Sequence, residues 1–200
     1  DVGLPDVTLG EALQHGANTL VLGVVVIGGS IPPATLTILR QALELGLDIA
    51  AGMHQRLGDI PELQEAAQKS GRRIIDVRVP PEEIPVGTGE KRTGKRLLTM
   101  GTDCALGKKY TALALAREMS HQGFDVDFRA SGQTGILISG AGIPIDAVVA
   151  DFVSGAAEML SPDADSPDHW DVIEGQGSLF HPGYSAVTAG VANDVPNFVP

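Results

Sequence analysis

Between residues 97 and 111 the chain reads LLTMGTDCALGKKYT: an apolar run, a glycine loop ending in Gly107-Lys108, then an alanine and leucine pattern of helical period. A strand, a tight turn and a helix in that order make the turn's backbone N–H groups converge at the positive end of the helix. An anion binds there, and Lys108 adds a full charge. The expected occupant is a phosphate group, held by Gly101, Thr102, Cys104, Ala105, Leu106, Gly107, Lys108, Lys109 and Tyr110. Such a loop also commits its part of the chain to an open parallel α/β sheet, with ligands beyond the carboxyl ends of the strands.

Five residues separate Gly101 from Gly107, one more than in the common G-x4-G-K-[ST] loop. The longer form GTDCALGK resembles the loop of dethiobiotin synthetase and its relatives, where Gly-Thr-Asp, three further residues and Gly-Lys cradle ATP. The position after Gly-Lys that normally supplies a magnesium-binding hydroxyl is Lys109, followed by Tyr110, with Thr111 beyond. A second ammonium there opposes a metal ion and favours a more anionic ligand, so phosphate binding is better supported than ATP hydrolysis.

The rest of the chain alternates helix and strand. A helix over 8–16 is followed by a fully buried strand at 19–29, a helix opened by Pro32-Pro33 that stops at Gly46, the short strand LDIAAG, a helix over 61–70 closed by Gly71, and the strand RIIDVRV. PPEEIPVGTGEKRTGK, 80–95, concentrates proline, glycine and charge without an apolar period and reads as a linker, so the expected domains are a Rossmann-like 1–92 and a P-loop-containing 93–200. The second domain continues with a strand at 96–100, a helix over 108–122, the strand FDVDFRA with alternating apolar and polar residues, an apolar helix over 145–160 and the strand WDVIEG. Small residues Ser154 to Ala157 on that helix permit close packing against another element, and they are the reason to expect a homo-oligomer.

Residues that end strands carry the most weight. Glu174 closes WDVIEG beside the P-loop, where a metal, a water or an amine is handled, and VIEGQGS resembles the VEGAGG segment of dethiobiotin synthetase. Asp103 sits inside the phosphate loop, where a carboxylate is costly unless it pairs with Lys108, Lys109 or a substrate ammonium. Cys104, beside a helix start and two lysines, is either an acyl carrier or a small space-filling residue. Arg129, at the end of the 124–128 strand, is either a carboxylate clamp or the partner of Asp125 or Asp127. His54 and His181 lie at strand exits and are candidate proton carriers, whereas His15, His121 and His169 are expected to be structural. No histidine pair has metal-ligand spacing, so no metal site is expected.

A net charge of −11 argues against nucleic-acid partners, and the single cysteine rules out an internal disulfide framework and fits the cytoplasm. The apolar runs are too short to span a bilayer, so no membrane partner is expected.

Taken together, GTDCALGKKYTALAL, FRASGQTGILISGAGIPIDAVVADFVSGAAE and DHWDVIEGQGSLFHP resemble one bacterial family, long known as a domain of unknown function. Its members join a Rossmann-like domain to a P-loop domain, and one branch is the D-glutamate N-acetyltransferase of D-glutamate catabolism. Family chains extend further at both ends, which implies that the P-loop sheet here is short of strands. The resemblance implies acetyl-CoA as donor, its phosphates on the P-loop, and the amino group of D-glutamate as acceptor. On that reading Glu174 is the first choice of base, with Asp103, Lys108 and His181 as further catalytic candidates; Arg129, Ser131, Gln133, Gln176 and His54 form the substrate side. Two alternatives remain: an ATP- and magnesium-dependent ligase or kinase of the dethiobiotin synthetase type, and a nucleotide-sensing module that a partner reads through the 145–160 helix.

Overall fold

Two three-stranded parallel sheets form, one within residues 1–78 and one within 79–200, in a computed structural model that describes residues 3–24, 30–181 and 185–193. In the first unit, Thr8 caps α1 (Leu9–Gln14) through a reciprocal box with Glu11, whose carboxylate accepts the Thr8 backbone N–H at 2.8 Å. Strand β1 (Thr19–Leu22), α2 (Pro33–Leu45), β2 (Asp48–Ala51), α3 (Pro61–Ser70) and β3 (Ile74–Asp76) follow. Proline opens both longer helices, and both stop at glycines in left-handed conformation, Gly46 at φ 102° and Gly71 at φ 66°. Strand β2 is central in the order β1-β2-β3 and buried along its whole length, with Leu39, Leu43, Ile49, Leu57 and Leu63 forming one core. Strand β1 corrects the expectation of a fully buried strand over 19–29. It ends at Leu22 and leaves Val21 exposed, because it is an edge strand with β2 as its partner; residues 25–29 lie outside the described residues.

The second unit runs β4 (Lys95–Leu98), α4 (Lys108–His121), β5 (Val126–Arg129), α5 (Gln133–Ser139), α6 (Val153–Leu160), β6 (Trp170–Ile173) and α7 (Ser185–Asn193). The strand order β4-β6-β5 puts β6 in the middle, with Leu98 and Arg129 in register on either side of Ile173. Alternation along β6 turns Val172 to a core with Ala112 and Ala116 of α4, and Ile173 to another with Val153, Ala156 and Leu160 of α6 and Val191 of α7. Helices therefore cover both faces.

Several elements differ from the sequence expectation. Residues 145–160 form two 3-10 turns and only then α6, and the strand expected from Phe124 starts at Val126, leaving Phe124 exposed. Helices α5 and α7 were not expected at all. The segment read as a linker is a strap folded onto the second unit, which is why the division falls between Arg78 and Val79 rather than near 92. Ile84 packs on the α6 core, the backbone N–H groups of Thr88 and Gly89 both donate to Glu158 at 2.8 Å, and Arg92 donates to the carbonyl of Ser161 at 2.7 Å. Gly155 leaves no room for a Cβ against the Pro85 carbonyl. The small residues of α6 thus do permit a close approach, but the strap takes it up, which removes the reason they offered for an oligomer. No helix among the described residues is long and apolar enough to cross a membrane.

Candidate functional site

Because β6 lies between β4 and β5, the three carboxyl ends meet. Thr99 N–H donates to the Ile173 carbonyl at 3.1 Å, Gly175 N–H to Thr99 Oγ1 at 3.1 Å, and Glu174 N–H to the Arg129 carbonyl at 2.9 Å. Gly175 must be glycine, since a Cβ would collide with the Thr99 carbonyl. Leu179 N–H donates to the Gly101 carbonyl at 2.9 Å, joining the loop after β6 to the phosphate loop after β4.

The phosphate loop is sharply turned. Ala105 takes φ 56°, uncommon for a residue with a Cβ, and Gly107 takes φ 96° as it enters α4. The Lys108 ammonium reaches back to the Asp103 carbonyl at 3.1 Å, while the Asp103 carboxylate accepts the Cys104 N–H at 2.7 Å. Lys109 holds its ammonium 4.3 Å from the centroid of the exposed Tyr110 ring. The Lys108 cation is therefore held at the loop by a backbone carbonyl, a weaker partner than an anion.

Glu174, 4% exposed, lines the same cleft of about 450 Å³ as these lysines. Its Oε2 accepts the N–H groups of Ser131 at 3.1 Å and Gly132 at 3.2 Å, where β5 turns into α5, and the Ser131 hydroxyl donates to the Glu174 carbonyl. Gly135 of α5 leaves no room for a Cβ beside that carboxylate. Burial pushes the Glu174 carboxyl above its ordinary value, opposed by the Gly132 and Ser131 N–H groups, the positive charge of Lys109 and a hydrogen bond from the Gln176 side chain. A carboxyl in that state takes and releases a proton closer to neutrality than a free one.

The cleft gathers Ala105, Gly107, Lys108, Lys109, Tyr110, Gln133, Glu174 and Gln176, all expected from the sequence. It also takes in Gly132, Thr134, Gly175 and Gly177, which sit in the same strand-exit segments and could have been found there. Other expected residues lie elsewhere. Arg129 corrects the carboxylate-clamp reading: its Nε donates to Asp171 at 2.6 Å and its other end to Asp127 at 3.0 Å, so the fork is spent across β5 and β6. Ser131 is fully buried and supports Glu174 rather than a substrate. The Asp103 carboxylate faces its own loop; Thr102, Cys104 and Leu106 are not among the lining residues, and Gly101 acts through its backbone. His54 belongs to the first unit, 3.2 Å from Arg78. The His181 backbone N–H donates to Ser178 Oγ at 2.8 Å, and the residue does not line the cleft.

A second polar cluster lies at the other end of β6. His169 sets Nδ1 3.0 Å from Asp125 and Nε2 3.3 Å from Asp171, and Asp171 also accepts from Ser161 Oγ at 2.5 Å. Asp127, remote in sequence from His169 and Asp171, joins them so that the three bring ligand-type atoms within 4.8 Å of one another, a gathering that histidine spacing could not show. The Arg129 guanidinium already supplies the cation there. Burial works against a charged His169 ring, but its hydrogen bonds to Asp125 and Asp171 outweigh it and hold the ring above its ordinary value.

Residues 85–193 match the model of a domain of unknown function described as the DUF1611_C P-loop domain, and residues 1–80 that of the DUF1611_N Rossmann-like domain. A protein of Tritonibacter scottomollicae named D-glutamate N-acetyltransferase is 53% identical over 193 residues, covering 96% of this chain and 58% of that protein. Another of that name, from a Pseudoalteromonas species, is 50% identical over 189 residues, covering 94% of this chain and 57% of that protein. The crystal structure of a DUF1611 family protein from Anabaena variabilis is similar with a TM-score of 0.85 and 36% identity, over 94% of this chain and 54% of that one. The chain thus spans less than two thirds of the length of these relatives.

Proposed function

The chain belongs to the DUF1611 family, with its Rossmann-like and P-loop domains, and from that premise and the geometry of the cleft we propose that the protein transfers an acetyl group from acetyl-CoA to the amino group of D-glutamate. The observation that carries this reading is the placement of Lys108 and Lys109 in one cleft with a buried carboxyl, Glu174, with lysine where a P-loop that binds magnesium has a hydroxyl. Coenzyme A offers phosphates for two ammonium groups and the loop's N–H groups and requires no hydrolysis. The amino group of the acceptor loses a proton to Glu174 and its nitrogen attacks the thioester carbon. As the C–S bond breaks, the thiolate leaves with the second proton from nitrogen. Because Arg129 is committed to Asp171, the acceptor's carboxylates fall to Gln133, Thr134 and Gln176 among the polar groups of the cleft.

Calorimetry against acetyl-CoA, and against ATP with and without magnesium, tests the donor. Tight acetyl-CoA binding with weak, metal-indifferent ATP binding supports the transferase, and turnover with D-glutamate then identifies the acceptor. Magnesium-dependent ATP binding without acetyl-CoA binding overturns it in favour of a ligase or kinase.

A further inference from the structure

Helix α4 packs on its sheet through Ala112 and Ala116, and Tyr110, the third residue of that helix, belongs to no core cluster among the described residues. The residue is 68% exposed, so the fold draws little from its ring. Yet Tyr110 lines the cleft together with Lys108 and Lys109. The Lys109 ammonium lies 4.3 Å from the ring centroid, and at that exposure it leaves most of the ring open. Glu174, in the same lining, is 4% exposed, so the cleft joins a dry carboxyl wall to an open aromatic one.

A ligand that answers both the lysines and the ring carries phosphate and a flat π surface a few bonds apart, which is the chemistry of a nucleotide. Its phosphates go to the N–H groups at the start of α4 and to the two ammonium groups, and a base joined to them through one ribose reaches a ring on the first turn of the same helix. We propose that Tyr110 is the stacking platform for the adenine ring of the donor, and so the residue that recognises the nucleoside end of the ligand. This deepens the proposed function and rests on it only for the choice of acetyl-CoA over ATP as the molecule that carries the ring. Stacking uses the π surface and not the phenol hydroxyl, so phenylalanine serves in its place and alanine does not.

Calorimetry of the full chain against acetyl-CoA, and against ATP with and without magnesium, tests the platform in Tyr110→Ala and Tyr110→Phe, with circular dichroism confirming that each variant is folded. Tyr110→Ala should weaken whichever adenine ligand the parent binds by about 5- to 150-fold, and Tyr110→Phe should keep the parent affinity. The loss should persist in a Lys109→Ala background, where the ring has no ammonium to hold; a loss that vanishes there means that Tyr110 only places Lys109, and overturns the proposal. The outcomes also separate the platform from the reaction. Acetyl-CoA binding unchanged in Tyr110→Ala removes the platform and leaves the transferase. ATP binding alone, weakened in Tyr110→Ala, keeps the platform and removes the transferase, and a parent protein that binds neither ligand overturns both.

Discussion

Two strand-ending carboxylates set the halves of the molecule side by side. Asp76 closes β3 in the first unit and accepts the N–H groups of Leu57 and Gly58, both at 2.8 Å, from a 3-10 turn. Glu174 follows β6 in the second and accepts the N–H groups of Ser131 and Gly132. The two do the same mechanical task, tying an incoming turn to a sheet by filling donors that the turn cannot satisfy itself. They differ in company. Asp76 is half-buried over an apolar core, whereas Glu174 is almost wholly buried and lines a cleft together with two lysines. A carboxylate at the end of a parallel strand is therefore an ordinary fold device, and it becomes chemical when burial raises its proton affinity and a charged ligand site opens beside it.

The sharpest way to break this contrast is to neutralise the second carboxylate. Glu174→Gln keeps an acceptor for both N–H groups and should lose about 10²- to 10⁴-fold in turnover while remaining folded, as read by steady-state kinetics beside circular dichroism. Its stability relative to the parent should also grow with pH. A carboxyl held above its ordinary 4.5 contributes stability that is full below that value and lost as pH rises through the folded one, a loss the amide does not suffer.

Next in size is Asp171→Ala. It strips Arg129, Ser161 and His169 of their shared acceptor and should cost about 3–5 kcal/mol in urea unfolding, because it leaves a guanidinium partly buried without its main partner. Folded molecules should still bind acetyl-CoA, since the cluster lies outside the cleft. Asp76→Ala should cost less, about 1–3 kcal/mol of stability from two orphaned N–H groups, and leave turnover per folded molecule intact. Equal loss of turnover in the Asp76 and Glu174 variants would erase the distinction between them.

The smallest effect concerns His169. With its ring held above 6.5, it contributes stability that is full below that value and is lost as pH rises through the folded one. His169→Phe should flatten that part of the stability profile measured by thermal unfolding from pH 5 to 9.

How much of this was legible in the sequence follows from what each signal depends on. The P-loop, the capped helices and Glu174 rest on residues adjacent in the chain or on the end of a strand, and local order is what a sequence displays. Of the two readings of Arg129 the pairing with Asp127, two residues away on the same strand, holds; its second partner was missed because that one depends on register: Asp127 lies opposite Asp171 and Arg129 opposite Ile173, so the guanidinium reaches diagonally to Asp171, forty-odd residues away, a pairing no local pattern shows. Ser131 looked like a substrate group because a strand-exit serine is a common one; its burial under Glu174 appears only once β6 lies beside β5. The strap was read as a linker because proline and glycine report on the absence of regular structure, and Pro85 meets Gly155 across the fold with neither.

That meeting bears on how such a chain can be inherited. Residue 155 admits no side chain while the Pro85 backbone carbonyl lies against it, so a lineage that placed a side chain at 155 would have to reroute the strap. The strap and α6 are in this sense one heritable module, and a gene fusion that carried off the P-loop unit from residue 93 onward would leave behind the segment its inner helix was shaped to receive.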